Sequence, residues 1–132
     1  MKIFNIICKV VFGLIIAMPV LGALGVFPPP TPDLYNTTKA YDFINQLMEV
    51  KYINVIMAVV CVISIGLMVT GRTALMALLT LPITVNVVAF HTVIDGGPFT
   101  GGALLGNIML ALNLYFLWQN RAQYQTLLEK SN

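Results

Sequence analysis

His91 is the only histidine in the chain, and Asp95 follows it four residues later. On a helix that spacing stacks the two side chains on one face. Imidazole titrates near neutrality, and a carboxylate beside it favours the charged form. Such a pair could handle a proton or contact a quinone carbonyl. It could equally be an interfacial histidine that caps a helix end and ties the turn at Asp95. At roughly 100° per residue, Thr80 and Thr84 fall on the same stripe, while Asn86 shares another face with Pro82 and Phe90. Polar groups inside an apolar span are costly, so Asn86, His91, Asp95 and Thr84 are the candidate polar or quinone-contacting residues. Pro82 deletes the hydrogen bond to the Leu78 carbonyl and is expected to kink its helix.

Other chemistries find no residues to carry them. Cys8 and Cys61 form no CxxC pair and no Cys/His ligand cluster, so a zinc site is excluded on ligand count. Both lie in apolar stretches, where cysteine serves as a small buried hydrophobe. With one histidine, a bis-His haem cannot form within a single copy. No catalytic constellation is evident, and a quinone is the one cofactor that the polar residues suggest.

The elements that must position these residues are set by composition. Of 132 residues, 58% are hydrophobic and 9% charged, and the mean hydropathy is +0.88. A soluble domain averages about 25% charged residues, so twelve charged side chains could not cover its surface. Lipid must be the solvent. A net charge of +2 with no clustered basic patch gives no sign of nucleic-acid binding. Four apolar runs, about 3–27, 52–70, 73–94 and 101–118, are each near the roughly 20 residues that cross a bilayer. Backbone groups in hydrocarbon must pair within their own segment, so the runs should be helices. Residues 1–132 therefore read as one all-α domain, a transmembrane four-helix bundle. The first run has Lys2 ahead of it and small residues at its end. Its apolar part exceeds a typical signal-peptide core, so it is expected to be a retained span.

Charge orients the bundle. With the N-terminus inside, Lys2, Lys9, Arg72, Arg121 and Lys130 oppose Glu129, a net +4. Lys39 and Lys51 then face Asp33, Asp42, Glu49 and Asp95 outside, a net −2. The positive-inside rule favours both termini in the cytoplasm. Gly71–Arg72 allows only a tight turn, and Asp95-Gly96-Gly97-Pro98 makes a second one. Residues 28–51 form the long external segment. It opens on a stiff run, Pro28-Pro29-Pro30-Thr31-Pro32. Asn36 offers a helix N-cap, and Tyr41, Ile44, Leu47 and Met48 recur at helical spacing. A short amphipathic helix on the outer membrane surface is expected, or the same helix packed as a lid. Gln119–Asn132 should leave the membrane as a frayed helical end. Gly102 and Gly106, with Asn113 on the same face, and Gly13 with Ala17 are small-residue patterns that let helices approach closely, within the bundle or against another subunit.

The run Leu81-Pro82-Ile83-Thr84-Val85-Asn86-Val87-Val88-Ala89-Phe90-His91 resembles the third-helix signature of the DoxX-like family of small bacterial membrane proteins. Lys9 and Gly13, the proline-rich external segment, Gly71–Arg72 and the closing Leu-Tyr-Phe-Leu-Trp-Gln-Asn-Arg fit the same order, so the resemblance covers nearly the whole chain. It implies a four-helix bundle in the bacterial inner membrane that accompanies redox or detoxifying proteins, with Pro82, Asn86, Phe90 and His91 as the signature residues. Many relatives carry an acidic residue eleven positions before the arginine, and here that position is Cys61. The departure argues against carrying over an enzymatic role. The expectation is an accessory or structural subunit of a larger membrane complex, respiratory or redox, with lipid and other membrane subunits as partners. The alternative is a quinone-linked component using His91 and Asn86.

Overall fold

The computed structural model describes residues 2–128. Glu129 and Lys130, counted in the charge balance above, lie outside the described residues. Four long helices form the body: α1 (Lys2–Ala23), α3 (Tyr52–Val69), α4 (Thr73–Ala89) and α5 (Gly101–Gln119). Two short ones, α2 (Thr38–Val50) and α6 (Arg121–Leu128), complete it, and no strand occurs among the described residues. A π-helical turn, Phe90–Ile94, continues α4, so that the third apolar span runs Thr73–Ile94. All four long helices are long and apolar enough to cross a membrane.

Packing follows a closed up-and-down order in which α1 lies on α3, α3 on α4, α4 on α5 and α5 back on α1. The core is built from Cys8, Phe12 and Ile16 of α1, Cys61 of α3, Met76 and Ala77 of α4, and Met109 and Phe116 of α5. The Phe12 and Phe116 rings meet edge to face at 5.6 Å. Outside this core the surface is apolar. Ile3, Ile7, Val10 and Leu14 of α1 and Val55, Ile56, Val59 and Val62 of α3 are all exposed. An apolar band of this extent would aggregate in water, whereas in a bilayer it is the surface that lipid wets. The protein is a multi-pass membrane protein.

The apolar runs mark the spans, and backbone caps end them. The first helix stops at Ala23, four residues short of the end of its apolar run. Gly25 adopts φ +74°, and Val26 N–H donates to the Leu21 carbonyl at 3.0 Å while Gly25 N–H donates to Gly22 at 3.0 Å. This paired C-cap terminates the helix although Leu24, Val26 and Phe27 are still apolar. Gly71 (φ +80°) repeats it between α3 and α4, with Arg72 N–H on the Leu67 carbonyl at 2.8 Å. The proline run is extended as far as Thr31 (φ −114°, ψ 152°), after which Pro32–Leu34 form one 3₁₀ turn.

Two local expectations are corrected. Thr37, not Asn36, caps α2, its hydroxyl accepting from Ala40 N–H at 3.1 Å. Residues 121–128 are not a frayed extension of the last span, and the rest of the expected frayed end, 129–132, lies outside the described residues. The backbone breaks at Asn120, and α6 docks back, Tyr124 donating its hydroxyl to the Ala74 carbonyl at 2.8 Å.

Candidate functional site, a polar seam closed by a strap

The third span positions the candidate residues. Thr73, Thr80, Thr84 and Asp95 are buried and His91 is half-buried, all on the side of α4 and its π turn that faces α5. The π turn widens the last turn of the helix: Asp95 N–H reaches the Phe90 carbonyl five residues back at 3.1 Å, and Gly97 N–H reaches that of His91 at 2.9 Å. Such turns are frequent at functional positions.

His91 Nδ1 lies 2.8 Å from Asp95 Oδ2. An ionised carboxylate only accepts, so Nδ1 carries the hydrogen, and in the neutral ring Nε2 presents its lone pair. The second carboxylate oxygen, Oδ1, accepts from the Asn36 backbone N–H at 2.8 Å. One residue further, the Thr37 hydroxyl donates to the Ile94 carbonyl at 2.6 Å. The loop before α2 is thereby strapped across the end of α4. Burial would push the Asp95 carboxyl up, but the Asn36 amide and the His91 imidazole outweigh it and hold the group below its ordinary value. Tyr35 beside it is pushed up, first by its own burial and then by the negative charge of Asp95.

The strap comes close because of glycine. A methyl added at Gly96 (φ +92°) would sit 3.1 Å from Asn36 Cβ. On the other side α5 presents Gly102, where an added methyl would fall 2.7 Å from His91 Cε1. At Gly106 it would fall 3.1 Å from Val87 Cγ1. The Gly102, Gly106 and Asn113 face is thus occupied inside the bundle, against the histidine stripe of α4. Gly13 is likewise covered by Met68 of α3, and Ala17 is half-buried on the same helix. Aromatic rings close the outside of the site: Phe90 meets His91 at 5.0 Å, stacks on Phe43 at 5.8 Å and meets Tyr35 edge to face at 6.4 Å.

The polar stripe continues down the α4–α5 seam. Asn113 Nδ2 donates to Thr80 Oγ1 at 2.6 Å and to the Ala77 carbonyl at 3.3 Å, leaving its own buried Oδ1 without a partner. The Thr73 hydroxyl donates to Asn120 Oδ1 at 3.3 Å. The Thr84 hydroxyl returns to the Thr80 carbonyl of its own helix at 3.0 Å. Between Thr84 and His91 the seam is apolar, with Val87 and Val88 pressed on Gly106. Side-chain polar contact is therefore interrupted there.

Asn86 does not join His91. It is exposed on the outer face of α4, and its amide donates to the Pro82 carbonyl at 2.9 Å, one turn back in the same helix. Pro82 is exposed too, and the α-helix runs through it without a break. Cys8 and Cys61 are free thiols buried in the core and belong to no polar contact of this site.

Sequence reasoning identified the 80, 84, 91, 95 stripe but missed the strap, whose key donor is a backbone amide that no residue type advertises. It also passed over Asn54, whose side chain donates to the Leu47 carbonyl at 3.3 Å and supports the one-residue corner at Lys51 (φ +60°) between α2 and α3. Neither a protein-family model, nor a curated protein, nor a solved structure matches the chain.

Proposed function

We propose that the protein is a non-catalytic accessory subunit of a larger membrane complex, of DoxX-like type, with a respiratory or redox partner. The observation that carries this reading is the engagement of the one ionic pair among the described residues. Asp95 holds the strap through Oδ1 and His91 Nδ1 through Oδ2, so both carboxylate oxygens are engaged, and the polar seam below is interrupted by Val87 and Gly106. A side chain so engaged stabilises a shape. The Pro82-x-x-x-Asn86-x-x-x-Phe90-His91 pattern supports the family reading, and with it a bacterial inner membrane.

Within that reading the termini are cytoplasmic and the strap external. Lys2, Lys9, Arg72 and Arg121 gather at one end of the bundle, and Asp33, Asp42, Glu49 and Asp95 at the other, in support of this orientation. Helix α2 is the amphipathic external element, docked through Ala40, Ile44 and Leu47 and exposing Lys39, Asp42, Gln46 and Glu49. The small-residue faces are filled by the chain's own helices, so the partner's contact falls on the outer ridges of α1 and α3. The quinone-linked reading has less support, because Asn86 and His91 do not converge on one ligand.

Native electrophoresis of gently solubilised membranes tests the proposal. The chain should migrate in a complex well above its own 14.5 kDa plus detergent, and His91→Ala and Asn86→Ala should leave quinone-dependent turnover of that complex unchanged. A lone chain under several mild detergents refutes the accessory role. Loss of turnover in both variants would favour the quinone reading instead.

A further inference from the structure

At the basic end of the bundle the outer face of α5 carries a shallow, open groove of about 620 Å³ lined by Ala111, Leu114, Tyr115, Leu117, Trp118 and Arg121. Five of the six side chains are apolar or aromatic, and the sixth is a cation at the mouth. The Arg121 guanidinium is held in place, its Cζ 4.6 Å from the Trp118 ring centroid and one Nη1 hydrogen on the Trp118 carbonyl at 3.1 Å. Arginine has five N–H donors, so most remain free to meet an anion. Among the described residues no carboxylate pairs with it, the one ionic contact being that of His91 with Asp95.

We propose that this groove binds one anionic diacyl phospholipid. An acyl chain lies along Ala111, Leu114 and Leu117, and the phosphate sits on Arg121. Charge selects the anion: Lys2, Lys9, Arg72 and Arg121 lie toward this end, and no described acidic residue joins them. Apolar length selects a lipid over free phosphate, because an inorganic anion would use the guanidinium and leave the wall beneath it bare. Trp118, 69% exposed, sits between the two as an amphipathic ring at headgroup level. A smaller groove at the opposite end of α5, about 200 Å³ and lined by Pro98, Phe99, Thr100, Gly101, Leu104 and Asn107, has no charge and lacks this selectivity.

Native mass spectrometry of the detergent-purified full chain, titrated with phosphatidylglycerol or with phosphatidylcholine of the same acyl chains, tests the site. The wild type should retain one phosphatidylglycerol in preference to phosphatidylcholine. Arg121→Gln should bind phosphatidylglycerol about five-fold more weakly, the loss expected for one interfacial cation, with phosphatidylcholine unchanged. Arg121→Lys should keep most of the preference. Arg72→Gln, at the same end but outside the groove, should keep all of it. Equal retention of the two lipids by the wild type overturns the proposal, as does an Arg72→Gln loss equal to that of Arg121→Gln.

Discussion

Replacing Asp95 by alanine removes the acceptor on which the strap depends. In the folded protein that carboxylate accepts from the Asn36 amide and from His91 Nδ1, each at 2.8 Å, and it is 2% exposed. Hydrogen bonds to a charged group contribute about 1.5–3 kcal/mol net, and a covered N–H left unpaired loses about 1–3 kcal/mol. The two losses overlap, because Asn36 would recover a water once the strap lifts. About 3 kcal/mol is therefore expected for opening residues 28–51 from the end of α4, close to a hundredfold in the open population. Hydrogen exchange at the Asn36 amide, in the micelle-embedded protein, reads that population directly. It should accelerate about a hundredfold in Asp95→Ala and by about tenfold in Asp95→Asn, which keeps a neutral acceptor for the amide. Amides in the middle of α3 should be unchanged in both. Equal Asn36 exchange in wild type and Asp95→Ala would refute the latch, since it would mean that the contact orders nothing.

The same carboxylate gives the latch an acid limit. Its folded-state value lies below the ordinary 3.8, so its contribution is complete above about pH 4 and is lost as pH falls through the folded value. Asn36 exchange, corrected for intrinsic pH dependence, should accelerate only below 3.8. Gly102→Ala should destabilise the bundle by about 1–2 kcal/mol, because the new methyl meets a His91 ring tethered at Nδ1. In a His91→Ala background the same change should be nearly neutral, and a double-mutant cycle on detergent unfolding measures the difference. Asn113→Leu should stay within about 1 kcal/mol of wild type, since it loses the bonds to Thr80 and the Ala77 carbonyl but also removes a buried orphan oxygen. Asn113→Ala should cost about 2 kcal/mol in the same unfolding assay, because it leaves a void between α4 and α5.

The spans were legible because their signal is local: each apolar run contains its own reason to be a helix in lipid. The stripe of Thr80, Thr84, His91 and Asp95 was legible for the same reason, as spacing within one helix. What was lost is what depends on the backbone or on distant partners. The end of α1 at Ala23 follows from two N–H donors around Gly25, and hydropathy passes through Leu24 and Phe27 without registering them. The break at Asn120 arises because its side chain, donating to the Phe116 carbonyl at 2.7 Å, accepts from Thr73 47 residues away, and only the folded bundle brings Thr73 there. Asn36 is 59 positions from Asp95, and its contribution is an amide that every non-proline residue owns. The glycines left the clearest trace: Gly96 and Gly102 stood in the sequence as a turn former and half of a packing motif, and both prove to be clearances for the same His91–Asp95 site.

That convergence bears on how such a bundle holds together at all. Lipid is as apolar as leucine, so burying leucine between helices gains little over leaving it outside. Selectivity for one arrangement must come from close approach and from hydrogen bonds that hydrocarbon cannot replace. Here they fall at three depths of one seam: Asp95 with Asn36 and His91 at one end, Asn113 with Thr80 in the middle, and Thr73 with Asn120 at the other end, beside the Tyr124 tie to Ala74. The glycines of α5 bring its backbone against His91 and Val87, and the bond from Asn113 to Thr80 crosses between the same two helices. The outer ridges of α1 and α3 carry no such ties. Exchanging their exposed aliphatic residues among one another is therefore expected to leave the three sets of contacts in the seam in place.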